Sequence, residues 1–200
     1  MWSLETIIRM NRETEVSSTK RGGKRSPLDF YATPAWCVTE LYSQRERLGL
    51  PRPTLDPGAG EGGLIAPLAE LWPRSPVMRG IELDSGRVAR AAELGISLEH
   101  GDGMAQSWEG EHVLMNPPFC SALEWVTKGV EEARTLTALL RLGFLASQRR
   151  RPFWDANPPD KVVVMSRRPR FTGGGDSADY AWMHWGEGES SGLGPVIVWL

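Results

Sequence analysis

The residues in this 200-residue chain that chemistry can use most directly are Asn116-Pro117-Pro118-Phe119. Two successive prolines stiffen the backbone and remove two amide donors. The Asn116 side-chain oxygen and the Pro117 carbonyl can then accept together from one planar amine. An aromatic at 119 can stack on a flat base. Two acceptors converging on an NH₂ polarise it and free its lone pair to attack a methyl sulfonium in line. The plainer alternative for the same residues is a strand followed by a proline-stiffened loop.

A second constellation lies upstream. Asp56-Pro57-Gly58-Ala59-Gly60-Glu61-Gly62 reads as a sharp turn that lets backbone approach a ligand closely. Glu82 follows Gly58 by twenty-four residues, at the expected end of a second strand, with Leu83 beside it. A carboxylate at that place can accept from both hydroxyls of a ribose. The ligand need not be a dinucleotide, because Asp56 stands where a pyrophosphate would tolerate no negative charge. S-adenosylmethionine, with an ammonium, a sulfonium and a single carboxylate, suits that carboxylate better. Gly101-Asp102-Gly103-Met104 ends a third strand. There Asp102 can accept from an adenine amine and Met104 can lie against the ring, although Asp-Gly is also a common turn.

Charge is unevenly spread. Residues 31–140 hold nine basic and fifteen acidic residues, net -6, whereas 141–170 hold eight and two, net +6. The total of -2 hides a short cationic segment, which points to a local anionic partner or to a solvated arginine-rich face. Arg149, Arg150 and Arg151 are expected on a helix with Phe153 and Trp154. Arg167, Arg168 and Arg170 flank Pro169, ahead of a loop that Gly173–Gly175 are expected to make mobile. Core packing is the bland reading of at least one of Phe153 and Trp154, and of Trp182 and Trp185.

These residues need a scaffold. Apolar residues make up 40% of the chain, enough for a core. Apolar runs stay near five residues, which excludes a helical membrane span. Residues 11–27 are polar and without period, so an N-terminal arm over 1–27 is expected to be flexible, ahead of one domain over 28–200. From Thr33 onward short apolar strands alternate with helical stretches. Helices are expected from Ala35 to about Leu48, at Glu61–Leu71, at Ser85–Leu94 with Ser85 as possible cap, at Ser121–Arg134 and near Ala146–Ala156. Strands are expected at Thr54–Asp56, Val77–Glu82, Ile96–His100, His112–Asn116, Thr135–Leu142, Lys161–Ser166, Tyr180–Trp185 and Pro195–Leu200. Such alternation predicts an α/β, Rossmann-like domain: a mainly parallel seven-stranded sheet, helices on both faces, and an antiparallel C-terminal hairpin.

With these motifs in place the chain resembles the S-adenosylmethionine-dependent DNA N6-adenine methyltransferases, in particular the small phage-type members, over about residues 29–185. Asp56–Gly62 resembles their cofactor motif and Asn116–Phe119 their (Asp/Asn/Ser)-Pro-Pro-(Tyr/Phe) motif. Phe30-Tyr31-Ala32-Thr33-Pro34 is similar to their leading segment, and the stretch from Arg168-Pro169-Arg170-Phe171-Thr172 to Asp179-Tyr180-Ala181-Trp182 to a tail typical of phage-type members. The resemblance implies the class I methyltransferase fold and methyl transfer from S-adenosylmethionine to adenine N6 in DNA. It implies Asn116, Pro117, Pro118 and Phe119 as catalytic residues. Cofactor contacts fall on Phe30, Tyr31, Thr33, Asp56, Gly58, Gly60, Glu82, Leu83, Asp102, Gly103 and Met104. DNA contacts are expected at Arg149, Arg150, Arg151, Arg167, Arg168 and Arg170. The chain departs from many DNA methyltransferases in having no room for a separate target-recognition domain. Sequence reading is therefore left to the arm, to Cys120–Trp125 or to the basic segment, and a short or loose site is expected.

Other acceptors suit the same pair of oxygens: a protein glutamine amide or an RNA base amine. A DNA-binding module with a vestigial pocket is the non-enzymatic reading, which intact Asp56, Glu82 and Asn116 disfavour. No metal is needed, and the three histidines have no ligand spacing. Two distant cysteines and the lack of a leader-like start suggest a reducing, cytoplasmic setting, which the resemblance places in a bacterial host cell.

Overall fold

A computed structural model describes residues 31–76, 78–171, 178–186 and 195–200. The arm over 1–27, Phe30 and Gly173–Gly175 lie outside the described residues. Strands and helices alternate as β1 (Leu55–Asp56), α3 (Ile65–Leu71), β2 (Arg79–Glu82), α4 (Ser85–Glu93), β3 (Glu99–His100), β4 (His112–Met115), α5 (Ala122–Glu132) and β5 (Thr135–Arg141). Helices α1 (Ala35–Ser43) and α2 (Arg45–Leu48) precede them; α6 (Arg151–Ala156), β6 (Lys161–Val164), β7 (Tyr180–Trp185) and β8 (Val196–Trp199) follow.

The sheet order is β3-β2-β1-β4-β5-β7-β6-β8. Strand β7 runs antiparallel to both β5 and β6, and every other pairing is parallel. Eight strands were expected along the chain but only seven in the sheet; all eight described strands join one sheet. The eighth, β8, adds to the free side of β6 and leaves Val196, Ile197 and Trp199 more than half exposed. Strands β5 and β7 are buried along both faces apart from Arg141, and their buried polar residues Thr137 and His184 are paired with each other at 2.8 Å. Leu114, Leu139, Val163 and Trp182 meet α1 and α3 on one face; Met115, Leu136, Ala138 and Met183 meet α5 and α6 on the other. Two buried indoles are satisfied by backbone: Trp182 Nε1 donates to the Cys37 carbonyl at 3.2 Å and Trp185 Nε1 to the Asn157 carbonyl at 3.1 Å, whereas Trp154 Nε1 is buried with no hydrogen-bond partner among the described residues. Trp182 and Trp185 pack in the sheet core, and Phe153 is the buried residue of α6.

Several boundaries move for local reasons. Helix α3 begins at Ile65 and not at Glu61, because Gly60 and Gly62 hold φ of 59° and 85° and the chain turns before it can coil. Asp84, not Ser85, caps α4: its carboxylate accepts from the amides of Gly86 and Arg87 at 2.8 and 3.1 Å. Ser121 precedes α5 but its hydroxyl makes no capping hydrogen bond. Arg149 and Arg150 sit on a 3₁₀ turn ahead of α6, which starts only at Arg151. Among the described residues no helix is long and apolar enough to cross a membrane.

The order reverses at β1, with β2 on one side and β4 on the other. In such sheets a crevice opens beyond the carboxyl ends of the strands at that point.

Candidate active site

The crevice is a cavity of about 590 Å³ whose lining includes Thr33, Asp56, Glu82, Asp102, Asn116 and Trp125. Elements distant in sequence meet here because β1 to β4 all deliver their carboxyl ends to the same edge.

The glycine turn is held by its own acid. Glu82 Oε2 accepts from the Gly60 amide at 2.8 Å, and Oε1 accepts from the Asp84 amide at 2.9 Å. Arg87 Nη1 lies 3.3 Å from Oε1, in an ion pair whose side chains are only 10% and 7% exposed. Three of the roughly four acceptor positions of this carboxylate are therefore used within the protein. Glu82 shapes the turn as well as lining the cavity. Arg87 had no motif to mark it; its place in the first turn of α4, facing the end of β2, is the signal.

Asp56 is buried at the end of β1 and accepts from the Gly58 amide at 3.2 Å. Burial pushes its pKa up to about 7; the Gly58 amide opposes the rise, and the charge of Glu82 adds to it. The ring of Trp125 covers Gly58, since a Cβ there would stand 3.2 Å from two of its ring carbons.

Asp102 Oδ1 accepts from the Met104 amide at 2.9 Å and so caps the short turn Gly103–Ala105. A Cβ on Gly103 would fall 1.8 Å from the Pro57 carbonyl oxygen, so only glycine permits these two loops to touch. Exposed Leu83, with Leu94 and Ile96, forms an apolar wall. Met104, expected against a ligand ring, is partly buried against the core and is not among the residues lining the cavity.

Asn116 leaves β4 and is fixed from a remote segment. Its Nδ2 donates to Thr33 Oγ1 at 3.0 Å and to the Tyr31 carbonyl at 3.3 Å. Its Oδ1 is buried and has no hydrogen-bond partner among the described residues. Pro117 and Pro118 line the cavity with it. Phe119, next in the chain, sits in an aromatic group bordering the cavity through Tyr31. Its ring centroid is 5.3 Å from that of Tyr31, 5.8 Å from Tyr180 and 6.0 Å from Phe171. The Arg141 guanidinium lies 4.7 Å from the Phe119 centroid.

The arginines differ in their engagements. Arg150 stacks 4.2 Å over Phe144 and donates to its carbonyl at 3.0 Å. Burial draws its pKa down, and the charge of Arg149 adds to this. Arg151 pairs with Asp155 at 2.5 Å and Arg168 with Asp179 at 2.7 Å, all four side chains being more than half exposed. Arg167 lies 4.6 Å over Trp36, and Arg170 is exposed. Arg167 and Arg168 follow β6, so they stand at the same sheet edge as Asn116.

No family model and no characterised protein matches the sequence. Solved structures do match the fold. A protein from Listeria monocytogenes assigned to the class I S-adenosylmethionine-dependent methyltransferases superposes with TM-score 0.62 at 14% identity, over 99% of this chain and 73% of its own. The fold is the class I methyltransferase fold. A Pyrococcus horikoshii protein assigned as an RNA methyltransferase matches with TM-score 0.59 at 20% identity, over 92% of this chain and 96% of its own. The methyltransferase subunit of a type I restriction-modification system from Streptococcus thermophilus matches with TM-score 0.56 at 17% identity, over 80% of this chain and 45% of its own.

Proposed function

We propose that this protein transfers a methyl group from S-adenosylmethionine to the N6 amine of adenine in DNA. The observation that carries the reading is the buried, unpartnered Oδ1 of Asn116. A buried acceptor without a donor is costly, and an amine substrate relieves it.

S-adenosylmethionine supplies a methyl group already activated on a positively charged sulfur. The residues present fit it: Asp56, Glu82 and Asp102 offer carboxylates to cationic and hydroxyl groups, and Leu83, Leu94 and Ile96 offer an apolar wall. Asn116 and the Pro117 carbonyl then hold the acceptor amine by its two N–H bonds. Pro117 and Pro118 bring no competing amide donor. Most of the rate enhancement comes from alignment of the reacting groups.

An adenine inside a duplex must be turned out of the stack, at a cost of a few kcal/mol. Arg167, Arg168 and Arg170 at the sheet edge suit the flanking phosphates. Fold neighbours include methyltransferases assigned to RNA and to restriction-modification, so the choice of DNA rests on this chain's own Phe30-Tyr31-Ala32-Thr33-Pro34 segment and its arginine-rich loop.

The test is incubation with tritiated S-adenosylmethionine and mixed DNA, followed by nucleoside analysis. Label is expected in N6-methyldeoxyadenosine. Label in RNA or on a protein glutamine would reassign the acceptor, and absence of cofactor binding by calorimetry would leave a DNA-binding module.

A further inference from the structure

We propose that Arg141 is a stacking plane for the target base, the movable wall of a box whose fixed wall is Phe119. The proposal rests on the reading above for the identity of the base.

Arg141 is the last residue of β5 and the one exposed residue in that otherwise buried strand. It stands in register with Tyr180 on β7. Its Nε donates to the Tyr180 hydroxyl at 3.1 Å, and its guanidinium lies 4.7 Å from the Phe119 centroid and 5.9 Å from that of Tyr180. The remaining neighbours of Phe119 cannot give way easily. Tyr180 is fully buried, and Phe171 sits edge-on to Phe119, 4.9 Å from Tyr180. Tyr31 is tilted 32° to Phe119, and its carbonyl receives the Asn116 amide. Among these neighbours Arg141 alone combines a long, exposed side chain with a ring contact.

Stacked planes approach to about 3.5 Å, so a base between Phe119 and a second plane needs about 7 Å. The present 4.7 Å admits no base. The guanidinium therefore stands where a base would stack and must move outward by about 2–3 Å when a base enters. Guanidinium is flat and weakly hydrated, so it can stack on a purine face as it stacks on Phe119. An ammonium on a lysine stem carries the same charge but no plane. Tyr31 ties the two places together: it lines the cavity, touches Phe119 and anchors Asn116.

The experiment compares binding of single-stranded oligodeoxyadenylate with that of an abasic strand of equal length, so that phosphate charge cancels. It uses the full chain with S-adenosylhomocysteine present. The intact protein is expected to prefer the adenine strand roughly tenfold, as base–aromatic stacking does elsewhere. Arg141→Lys should lose that preference as completely as Arg141→Ala, whereas Arg141→Gln, planar but neutral, should keep part of it. Unchanged melting temperatures and cofactor titrations would separate this loss from misfolding. A preference retained by Arg141→Lys would overturn the proposal in favour of a phosphate contact. Lack of any preference in the intact protein would overturn it too. Failure of the parent reading looks different: the preference persists, but no N6-methyldeoxyadenosine forms.

Discussion

Asn116 is oriented by Thr33, a residue eighty-three positions earlier, through a 3.0 Å hydrogen bond from Nδ2 to Oγ1. That bond decides which end of the carboxamide is left over. The donor end is consumed by Thr33 and the Tyr31 carbonyl, so the acceptor end remains for a substrate.

Asn116→Ala is expected to bind S-adenosylmethionine normally and to lose methyl transfer. Removing a hydrogen bond that acts on the reacting group costs ~2–4 kcal/mol of transition-state stabilisation. Thr33→Val should act in the same direction but more mildly, by ~0.5–1.5 kcal/mol, since it frees the carboxamide without removing it. Single-turnover rates alongside cofactor titrations check both. Near-normal turnover in Asn116→Ala would remove Asn116 from the reaction.

Glu82→Ala should lower both stability and cofactor affinity. The substitution takes the carboxylate away from the buried Arg87 guanidinium and leaves the Gly60 amide without its acceptor. Breaking a buried pair from one side costs ~3–5 kcal/mol. Glu82→Gln keeps an acceptor for one of the two amides and should be intermediate. Thermal melts with and without cofactor separate the effects; an unchanged melting temperature in Glu82→Ala would contradict the structural part.

Asp56 sets a pH dependence. Its pKa is raised from 3.8 to about 7 in the folded protein, so the folded state holds a proton that the unfolded chain has released. The Asp56 contribution to stability is then fully present below about pH 4 and is lost as pH rises through about 7. Asp56→Asn keeps an acceptor for the Gly58 amide and cannot ionise. The stability difference between the variant and the parent should thus grow in favour of the variant across that window. A cationic ligand favours the ionised carboxylate, so S-adenosylmethionine affinity should rise with pH through about 7 and binding should release protons. Calorimetry in buffers of different ionisation enthalpy reads that release. Parallel pH profiles for parent and variant would show that Asp56 does not titrate there.

Much of this was legible in the chain because it is local or periodic. Alternating apolar stretches located all eight strands, and β7 was placed at its full extent, Tyr180–Trp185. The residues delivered to the crevice, Asp56, Glu82, Asp102 and Asn116, each end a strand or begin the turn after it. Non-local features were not legible. Nothing near Phe119 in sequence announces Arg141, Phe171 and Tyr180 around its ring. They converge there because β5 and β7 pair in a register that sets Arg141 opposite Tyr180. The close contact of Gly103 with Pro57, which fixes where the turn carrying Asp102 and Met104 sits, is likewise invisible along the chain.

The basic segment divides into structural and exposed arginines, and the two groups should respond differently to alanine. Arg150 is engaged with Phe144 through both its ring and its carbonyl. Arg150→Ala should lower the melting temperature, through loss of that packing, more than it alters the salt response. Arg167 and Arg168 stand at the carboxyl edge beyond β6. The Arg168–Asp179 pair is more than half exposed on both sides, so it is weak and easily exchanged for a phosphate. If these two meet phosphates, each alanine substitution should flatten the log–log salt dependence of DNA affinity by about one unit. Affinity should fall about equally for all sequences, because phosphate contacts position the protein without reading bases. Cofactor binding should survive, since Arg167 and Arg168 do not line the crevice. DNA affinities of Arg150→Ala, Arg167→Ala and Arg168→Ala at several salt concentrations, read beside their melting curves, make the comparison. Wild-type slopes for both Arg167→Ala and Arg168→Ala would move the clamp elsewhere, with Lys20, Arg21, Lys24 and Arg25 as the next basic residues to substitute.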